Sequence, residues 1–393
     1  MNCIGIETFG GSPVRLTFDP SDGAISAVEP VSDPGGLYLA PGFIDLQVNG
    51  FLGVDFNDPK CMPEEIARAI QGLFATGVTR FYPTVITGSP DDMLGALSNL
   101  KCAKEKLREG LAMDGFHVEG PHISPDDGPR GAHPRRWVRP PDIDEFRRWQ
   151  EATGNQVRIV TLAPDWPQSL GYIETITAEG VVASIGHTNA TTQQLADAVS
   201  AGATLSTHLG NGAHAVLRRH PNYLWEQLAE DRLTADFIVD GIHLPPSFLK
   251  VALRAKTVAR SVLVTDAAAP AGCPPGRYQL GEQAVELTAD NRVMLVGQER
   301  LAGSALRMDR GVENLMRIAG LSLAEAVSMA TTNAARAGRV AGRTGGLVPG
   351  DRADIIQYSF NNFELAIGIE ATFLSGIKVY GRRGHDHSAR CDG

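Results

Sequence analysis

Polar residues of the kinds that bind metals or transfer protons each follow a short apolar run in this sequence: Glu119, His187, His208 and Asp266. A buried carboxylate such as Glu119 needs a cationic partner, because leaving it unpaired in an apolar interior is costly. One carboxylate and two imidazoles with an open position form the ligand set of a catalytic Zn²⁺ or a similar divalent ion. We therefore predict that Glu119, His187 and His208 form a metal site. Each alone could instead be an ion-paired polar residue, but three independent strand ends together favour a site.

Asp266 ends the apolar run 261–266 and is followed by three alanines. Beside a metal-activated water, its carboxylate could accept a proton and later deliver it to a leaving amine. The alternative is that Asp266 caps a helix formed by the alanines. Pro270 and Gly272 disfavour a long helix at that place, so we predict a catalytic role. His243 lies near the end of another apolar run and joins the same set of candidates.

Alternating strand and helix patterns must position these residues. The predicted strands are 43–48, 79–86, 113–119, 157–162, 181–187, 203–208, 237–243 and 261–266. Helical patterns such as 63–76, 91–108, 192–201 and 246–255 follow most of them, and several begin with Ser, Thr, Asp or Pro. Eight such units predict an α/β fold, a (β/α)8 TIM-type barrel whose strand ends meet at one face. A hairpin-like insert at about 272–300 and helices at 309–319 and 323–336 complete the pattern.

The two ends of the chain carry a different pattern. Residues 1–40 and 343–380 contain short β-like segments and predict one small β-sandwich domain built from both termini, which leaves 41–342 as the barrel domain. Residues 381–393 are polar and are predicted to form a disordered tail. We attribute the histidines at 385 and 387 to that tail and do not count them as ligands.

Composition narrows the class of protein. The chain has 393 residues, 43% hydrophobic and 21% charged, which suits an enzyme with a large core. A net charge of −9 argues against nucleic-acid binding. The five scattered cysteines include no Cys-x-x-Cys pair, which disfavours a disulfide framework and indicates a reducing compartment. No signal-peptide pattern and no apolar run of membrane-spanning length stand out, so a cytoplasmic protein without a membrane partner is expected.

Longer motifs run over nearly the whole chain: 41–50, 117–121, 131–133, 186–188, 207–211, 240–243, 264–267 and 301–304. With these motifs the chain resembles the amidohydrolase superfamily, and within it the N-acetylglucosamine-6-phosphate deacetylase family. The first motif, Pro-Gly-Phe-Ile-Asp, would alone indicate only the superfamily. The combination is specific to the family.

The resemblance implies roles for individual residues. It matches Glu119, His187 and His208 to the metal ligands, Asp266 to the general acid and base, and His243 to the imidazole that polarises the acetyl carbonyl. The implied substrate-binding residues are Ala132, His133, Asn211, Gly212, Arg219, Asp240, Gly241, Ile242, His243, Leu301, Ala302 and Gly303. Many relatives carry His-x-His where this chain has Gln47 and Asn49. Amides bind Zn²⁺ less well than imidazoles, so one divalent ion per subunit is expected, Zn²⁺ first and Fe²⁺, Mn²⁺ or Co²⁺ as alternatives.

The implied reaction is hydrolysis of the acetamide of N-acetylglucosamine 6-phosphate to glucosamine 6-phosphate and acetate. The family places an arginine from a neighbouring subunit on the phosphate, which predicts a homodimer with Arg219 at the interface. The loop 209–215 lacks the usual aromatic residue before Asn211, and His122 is unusual after Glu-Gly-Pro. These departures leave another N-acyl hexosamine, phosphorylated or not, or another small N-acyl compound as the alternative.

More distant alternatives are weaker. Amidohydrolases with two metals often use a carboxylated lysine, and no predicted barrel strand ends in a suitable one. A barrel without activity would be expected to lose the metal ligands or Asp266, and all are present.

Overall fold

The computed structural model describes residues 1–343 and 346–382. Most of the predicted tail, including the histidines at 385 and 387, lies outside the described residues. Gly381, which was assigned to that tail, instead ends the strand Ile377–Gly381.

Eight parallel strands form the barrel, and each pairs with the next along the chain. In order, they are Phe43–Val48, Val78–Ile86, Phe116–Glu119, Val157–Leu162, Val182–Ile185, Leu205–Ser206, Thr234–Ile238 and Ser261–Val264. A parallel bridge between Val48 and Ala267 closes the first strand against the eighth. The amide of Asn49 donates to the Ala267 carbonyl at 2.8 Å beside it. The predicted (β/α)8 barrel is confirmed.

Several strands are shorter at their C-terminal ends than the sequence predicts. The fifth, sixth and eighth strands stop two residues before His187, His208 and Asp266. These three residues have φ of 51°, 28° and 49°, a left-handed backbone that cannot continue a strand. The seventh strand ends at Ile238, so His243 lies in the following loop and not at a strand end as predicted.

In the described residues, ten α-helices surround the barrel or follow its last strand: Pro63–Phe74, Pro90–Lys106, Ile143–Thr153, Ser169–Ala178, Thr192–Ser200, Tyr223–Ala229, Pro246–Lys256, Met308–Asn314, Leu323–Ala330 and Thr332–Ala337. The hydroxyls of Ser89, Thr191 and Ser322 accept backbone N–H groups in the first turn, as N-caps do. The helix predicted at 323–336 breaks at Thr331, where φ is −131° and ψ is −87°. None of the helices in the described residues has both the length and the hydropathy that a membrane span requires.

Strands from both ends of the chain form one seven-stranded sheet: Asn2–Glu7, Pro13–Asp19, Ala24–Pro30, Tyr38–Pro41, Ile355–Asn361, Ala366–Leu374 and Ile377–Gly381. Tyr38–Pro41 pairs with Asn2–Glu7 on one side and with Ile355–Asn361 on the other. Phe18 and Phe373 lie on strands that are not neighbours, yet their rings pack edge to face at 5.3 Å. The sheet therefore curves around a core of its own, as predicted for a small β domain built from both termini.

The insert after the eighth barrel strand is a three-stranded antiparallel sheet, one strand more than the predicted hairpin: Gly276–Leu280, Gln283–Leu287 and Val293–Leu295. Its side chains reach the loop that follows the third barrel strand. Gln283 Nε2 donates to the Ala132 carbonyl at 2.6 Å, and Arg300 Nη1 donates to the Gly131 carbonyl at 3.1 Å. Two short strands, Gly50–Phe51 and Val54–Asp55, follow the first barrel strand.

Candidate active site

Three ligand atoms converge at the C-terminal face of the barrel. Glu119 Oε1 lies 3.0 Å from His187 Nε2 and 2.9 Å from His208 Nε2, and the two nitrogens are 3.1 Å apart. All three side chains are buried. They come from the ends of the third, fifth and sixth barrel strands, so the structure brings together the residues that were predicted as metal ligands.

The hydrogen bond of His187 indicates which kind of group this cluster can hold. Its Nδ1 lies 2.7 Å from the carbonyl of Pro129, which can only accept, so Nδ1 carries the proton. In neutral imidazole, Nε2 then has a lone pair, and that lone pair faces the carboxylate oxygen of Glu119. Two acceptors at 3.0 Å repel each other unless a proton or a cation lies between them. A backbone carbonyl that fixes one imidazole nitrogen is the usual support for a metal-binding histidine. The donor set therefore fits a divalent ion.

His133 is a competing ligand for the same position. The ligand atoms of Glu119, His133 and His187 lie within 4.8 Å of one another. However, His133 Nε2 is 4.0 Å from Glu119 Oε1, and its Nδ1 is 2.8 Å from the hydroxyl of Thr87. Because the His208 contacts are about an ångström shorter, we favour His208 as the third ligand. Burial, with His187 nearby, lowers the pKa of His133 to about 3, which keeps its imidazole neutral.

Asp266 is held by two amides from the end of the first barrel strand. Gln47 Nε2 and Asn49 Nδ2 donate to its Oδ1 at 3.0 and 2.6 Å. The sequence identified Gln47 and Asn49 only as replacements for metal-binding histidines, and their contact with Asp266 was missed. Burial, together with the neighbouring charge of Glu119, raises the pKa of Asp266 to about 6. A carboxylate with this pKa can exchange a proton near neutral pH.

His243 is oriented by Asp240, three residues earlier. Nδ1 of His243 lies 2.6 Å from Asp240 Oδ2, and the backbone amides of Ile242 and His243 donate to Asp240 Oδ1 at 2.8 Å. Burial opposes ionisation of Asp240, but the hydrogen bond from His243 prevails and lowers its pKa. The pair leaves Nε2 of His243 available to the cavity.

A cavity of about 660 Å³ joins the metal cluster, Asp266 and His243. Among the predicted substrate-binding residues, those that line it are Ala132, His133, Asn211, Gly212, His243, Leu301, Ala302 and Gly303. Asp240, Gly241, Ile242 and the exposed Arg219 do not line it in the single chain. The insert adds Gln283 and Arg300 to the wall, and no signal in the sequence identified them because the pairing of the insert with the barrel was not predictable.

Gly212 shows how closely the backbone approaches the cluster. A Cβ atom at this position would lie 2.7 Å from His187 Nδ1, and the residue has φ of 56°. Only glycine fits both conditions without strain. The loop after the sixth strand is thereby packed against a metal-ligand candidate.

Comparison with known proteins adds independent information. The amidohydrolase family model matches residues 38–378. The chain is 34% identical over 352 residues to an N-acetylglucosamine-6-phosphate deacetylase of Bacillus subtilis, covering 86% of this chain and 87% of that protein. It is 35% identical over 360 residues to the Homo sapiens enzyme of the same name, covering 88% and 85%.

Solved structures agree with this similarity. The N-acetyl-D-glucosamine-6-phosphate deacetylase of Mycobacterium smegmatis superposes with a TM-score of 0.86 at 30% identity, covering 97% of this chain and 100% of that one. An aspartate-to-alanine mutant of the M. smegmatis enzyme in complex with N-acetyl-D-glucosamine-6-phosphate superposes with a TM-score of 0.85 at 30% identity, covering 96% and 99%.

Proposed function

Since the chain belongs to the amidohydrolase family and, within it, to the N-acetylglucosamine-6-phosphate deacetylases, we propose that it hydrolyses N-acetylglucosamine 6-phosphate to glucosamine 6-phosphate and acetate. One observation carries the proposal. The Glu119, His187 and His208 cluster shares its cavity with Asp266, whose carboxylate is held in place by two amides. The cluster supplies a cation site and Asp266 supplies a proton acceptor, which together suffice for amide hydrolysis.

The metal would be held by Glu119, His187 and His208, one divalent ion per chain. Zn²⁺ suits this ligand set first, and Fe²⁺, Mn²⁺ and Co²⁺ are alternatives. When bound, such an ion lowers the pKa of water and polarises a carbonyl. The Pro129 carbonyl supports this role by fixing the proton of His187 on Nδ1.

Asp266 carries the proton through the reaction. As the oxygen of water attacks the acetyl carbon, Asp266 accepts a proton from that water. It then protonates the amide nitrogen while the C–N bond breaks, releasing acetate and the amine. Gln47 and Asn49 occupy Oδ1 of Asp266, and no donor within the described part of the chain contacts Oδ2. Oδ2 is therefore the oxygen that exchanges the proton.

His243 would stabilise the oxygen that develops negative charge. With Nδ1 held by the Asp240 carboxylate, a protonated His243 presents its Nε2–H to the acetyl oxygen. A preorganised donor at this position acts mainly on the transition state. Asp240 thus contributes by orienting His243, which agrees with its place outside the cavity wall.

Recognition of the phosphate would need a second copy of the chain. Asn211 and Gly212 line the cavity, whereas Arg219 is exposed on the loop 209–222 and does not reach it. In a homodimer, Arg219 of one subunit would complete the site of the other. A guanidinium is suited to this task because it can bind a phosphate through two parallel hydrogen bonds.

Arg219→Ala is expected to remove the preference for the phosphorylated substrate. Loss of one charge-assisted contact should raise KM for N-acetylglucosamine 6-phosphate about 10- to 100-fold and leave turnover of N-acetylglucosamine unchanged. Acetate release from both sugars by metal-loaded enzyme measures the effect. Arg218→Ala is the matched control, since Arg218 is the exposed neighbour of Arg219 and should not contact the phosphate.

The outcomes separate the substrate alternatives. Equal KM values for wild type and Arg219→Ala would exclude Arg219 from phosphate binding. No turnover of either sugar, with one metal bound per chain, would favour another N-acyl compound as substrate.

The rate is expected to fall at acidic pH because Asp266 must be ionised to accept a proton. Burial raises the pKa of Asp266 to about 6, and a bound divalent ion favours the carboxylate and lowers this value. The acidic limb of kcat/KM should therefore lie at or below about pH 6, with activity rising as pH increases through it. A pH–rate profile checks this expectation, and a limb well above pH 7 would contradict it.

A further inference from the structure

A second cavity lies at the opposite end of the barrel from the candidate active site. Its volume is about 450 Å³. Arg80 and Arg158 stand near the N-terminal ends of the second and fourth strands, and Asp114 precedes the third. The active-site residues follow the C-terminal ends of the strands, so the two cavities are separated by the length of the barrel.

The wall of this cavity is strongly basic. Its charged residues are Arg80, Lys104, Arg158, Arg339, Arg352 and Asp114. Asp114 is 2.8 Å from Arg352 and 3.8 Å from Arg80, so its single charge is already shared. Within the described residues, five cationic side chains thus face one carboxylate.

The nearest buried acid does not offset this excess. Asp354 lies behind the wall, where it binds Arg80 Nε at 2.8 Å and is also 3.5 Å from Arg343. Two guanidinium groups therefore already share its charge. The pair of Arg80 and Asp354 leaves the rest of the cavity positive.

Three of the cations have no carboxylate partner. The side chain of Arg158 makes no hydrogen bond or ion pair with any residue of 1–343 or 346–382. Among those residues, the guanidinium of Arg339 donates only to the Gly180 carbonyl, at 3.1 Å. Lys104 is half-buried and lies over the Phe116 ring at 6.0 Å. Burial, together with the charges of Arg80, Arg158 and Lys101, lowers the pKa of Lys104 to about 8 although Asp114 raises it. An anion in the cavity would relieve this repulsion.

We propose that this cavity binds a compact dianion of the phosphate class, either inorganic phosphate or a small phosphate monoester. Guanidinium groups bind phosphate oxygens through paired hydrogen bonds, and an ammonium group adds a point charge. Arg158, Arg339 and Lys104 supply these donors from three different segments of the chain, and the volume admits a phosphate with a small organic group. The site is independent of the reaction proposed for the other end of the barrel.

Calorimetric titration of the metal-loaded enzyme tests the site. One arm uses inorganic phosphate and the other uses glycerol phosphate, both at constant ionic strength. Arg158→Glu is expected to weaken one binding event at least about tenfold, because it removes a charge-assisted contact and adds a repulsive charge. Arg254→Glu is the matched control, since Arg254 is also exposed and does not line the cavity. Binding of an anion in the active site would give a second binding event that is the same in all variants.

Further measurements locate the bound anion and show whether the variants are folded. The Arg158 side chain has no partner in the described structure, so the melting temperature of Arg158→Glu without phosphate should match that of wild type. Lys104→Gln is a second variant that is expected to weaken the same binding event. A crystal soaked with tungstate, a phosphate mimic, should show the heavy atom beside Arg158. Binding in the glycerol phosphate arm alone would assign the site to phosphate esters, and binding in both arms would assign it to the phosphate group itself. Wild-type isotherms from Arg158→Glu and Lys104→Gln, or no anion at this end of the barrel, would overturn the proposal.

Discussion

Replacing Asp266 with asparagine is expected to lower kcat by about 10³-fold and to leave the fold and the bound metal unchanged. Asparagine keeps an oxygen at the position of Oδ1, so the amides of Gln47 and Asn49 retain their acceptor. The variant loses the group that accepts the proton from water and returns it to the amine. Acetate release, together with metal content and melting temperature, separates this chemical effect from a loss of structure.

Asp165→Asn is the matched control. Asp165 is a largely buried carboxylate that accepts hydrogen bonds from the Thr188 hydroxyl and the Asn189 amide. It does not line the active-site cavity, so this variant should keep most of its activity. A kcat near wild type in Asp266→Asn would show that the proton follows another route.

His208→Ala is expected to remove the metal and lower the activity by at least about 10³-fold. Without its Nε2, only Glu119 and His187 of the tight cluster remain, and two ligands do not hold a divalent ion firmly. The metal-to-chain ratio from elemental analysis should fall from about one to near zero. Activity should not return on addition of Zn²⁺ at concentrations that saturate the wild type.

His133→Ala distinguishes between the possible ligand sets. His133 faces the same cavity and is equally buried, but it lies 4.0 Å from Glu119 Oε1. This variant should keep its metal and show a raised KM, as expected for a sugar contact. If His133→Ala lost the metal and His208→Ala retained it, the ligands would be Glu119, His133 and His187.

The barrel was predictable because most of its strands are short apolar runs and several helices begin with a recognisable cap, such as Ser89 and Thr191. The strand ends were not predictable at single-residue precision. The pattern of residues 181–187 is the same whether the backbone of His187 is extended or left-handed, as it is here with φ of 51°. His187 also contacts the Pro129 carbonyl, 58 residues earlier, which no local pattern reveals. The same holds for the seventh strand, where an apolar run continued past the true end at Ile238.

Residue types predicted which side chains could do chemistry, but not what holds them in place. Asp266 depends on Gln47, which lies 219 residues earlier, and no local pattern reveals such a contact. Asp240 was predicted to bind substrate, and its contact with His243 was not predicted although the two residues are only three positions apart. The Arg300 contact with Gly131 could not be predicted from the sequence, because it requires the insert to fold over a loop 169 residues away.

The seven-stranded sheet has a consequence for the order in which the chain is made. Tyr38–Pro41 leaves the ribosome early. The strand that covers its free edge, Ile355–Asn361, is synthesised much later, near the end of the described chain. Roughly 300 residues separate them, which takes roughly 15 to 60 s at about 5–20 residues per second. During that time the barrel can form, while the N-terminal strands expose an unpaired edge open to other chains. We therefore expect the N-terminal strands to be the part of the nascent chain that is most prone to association with other chains.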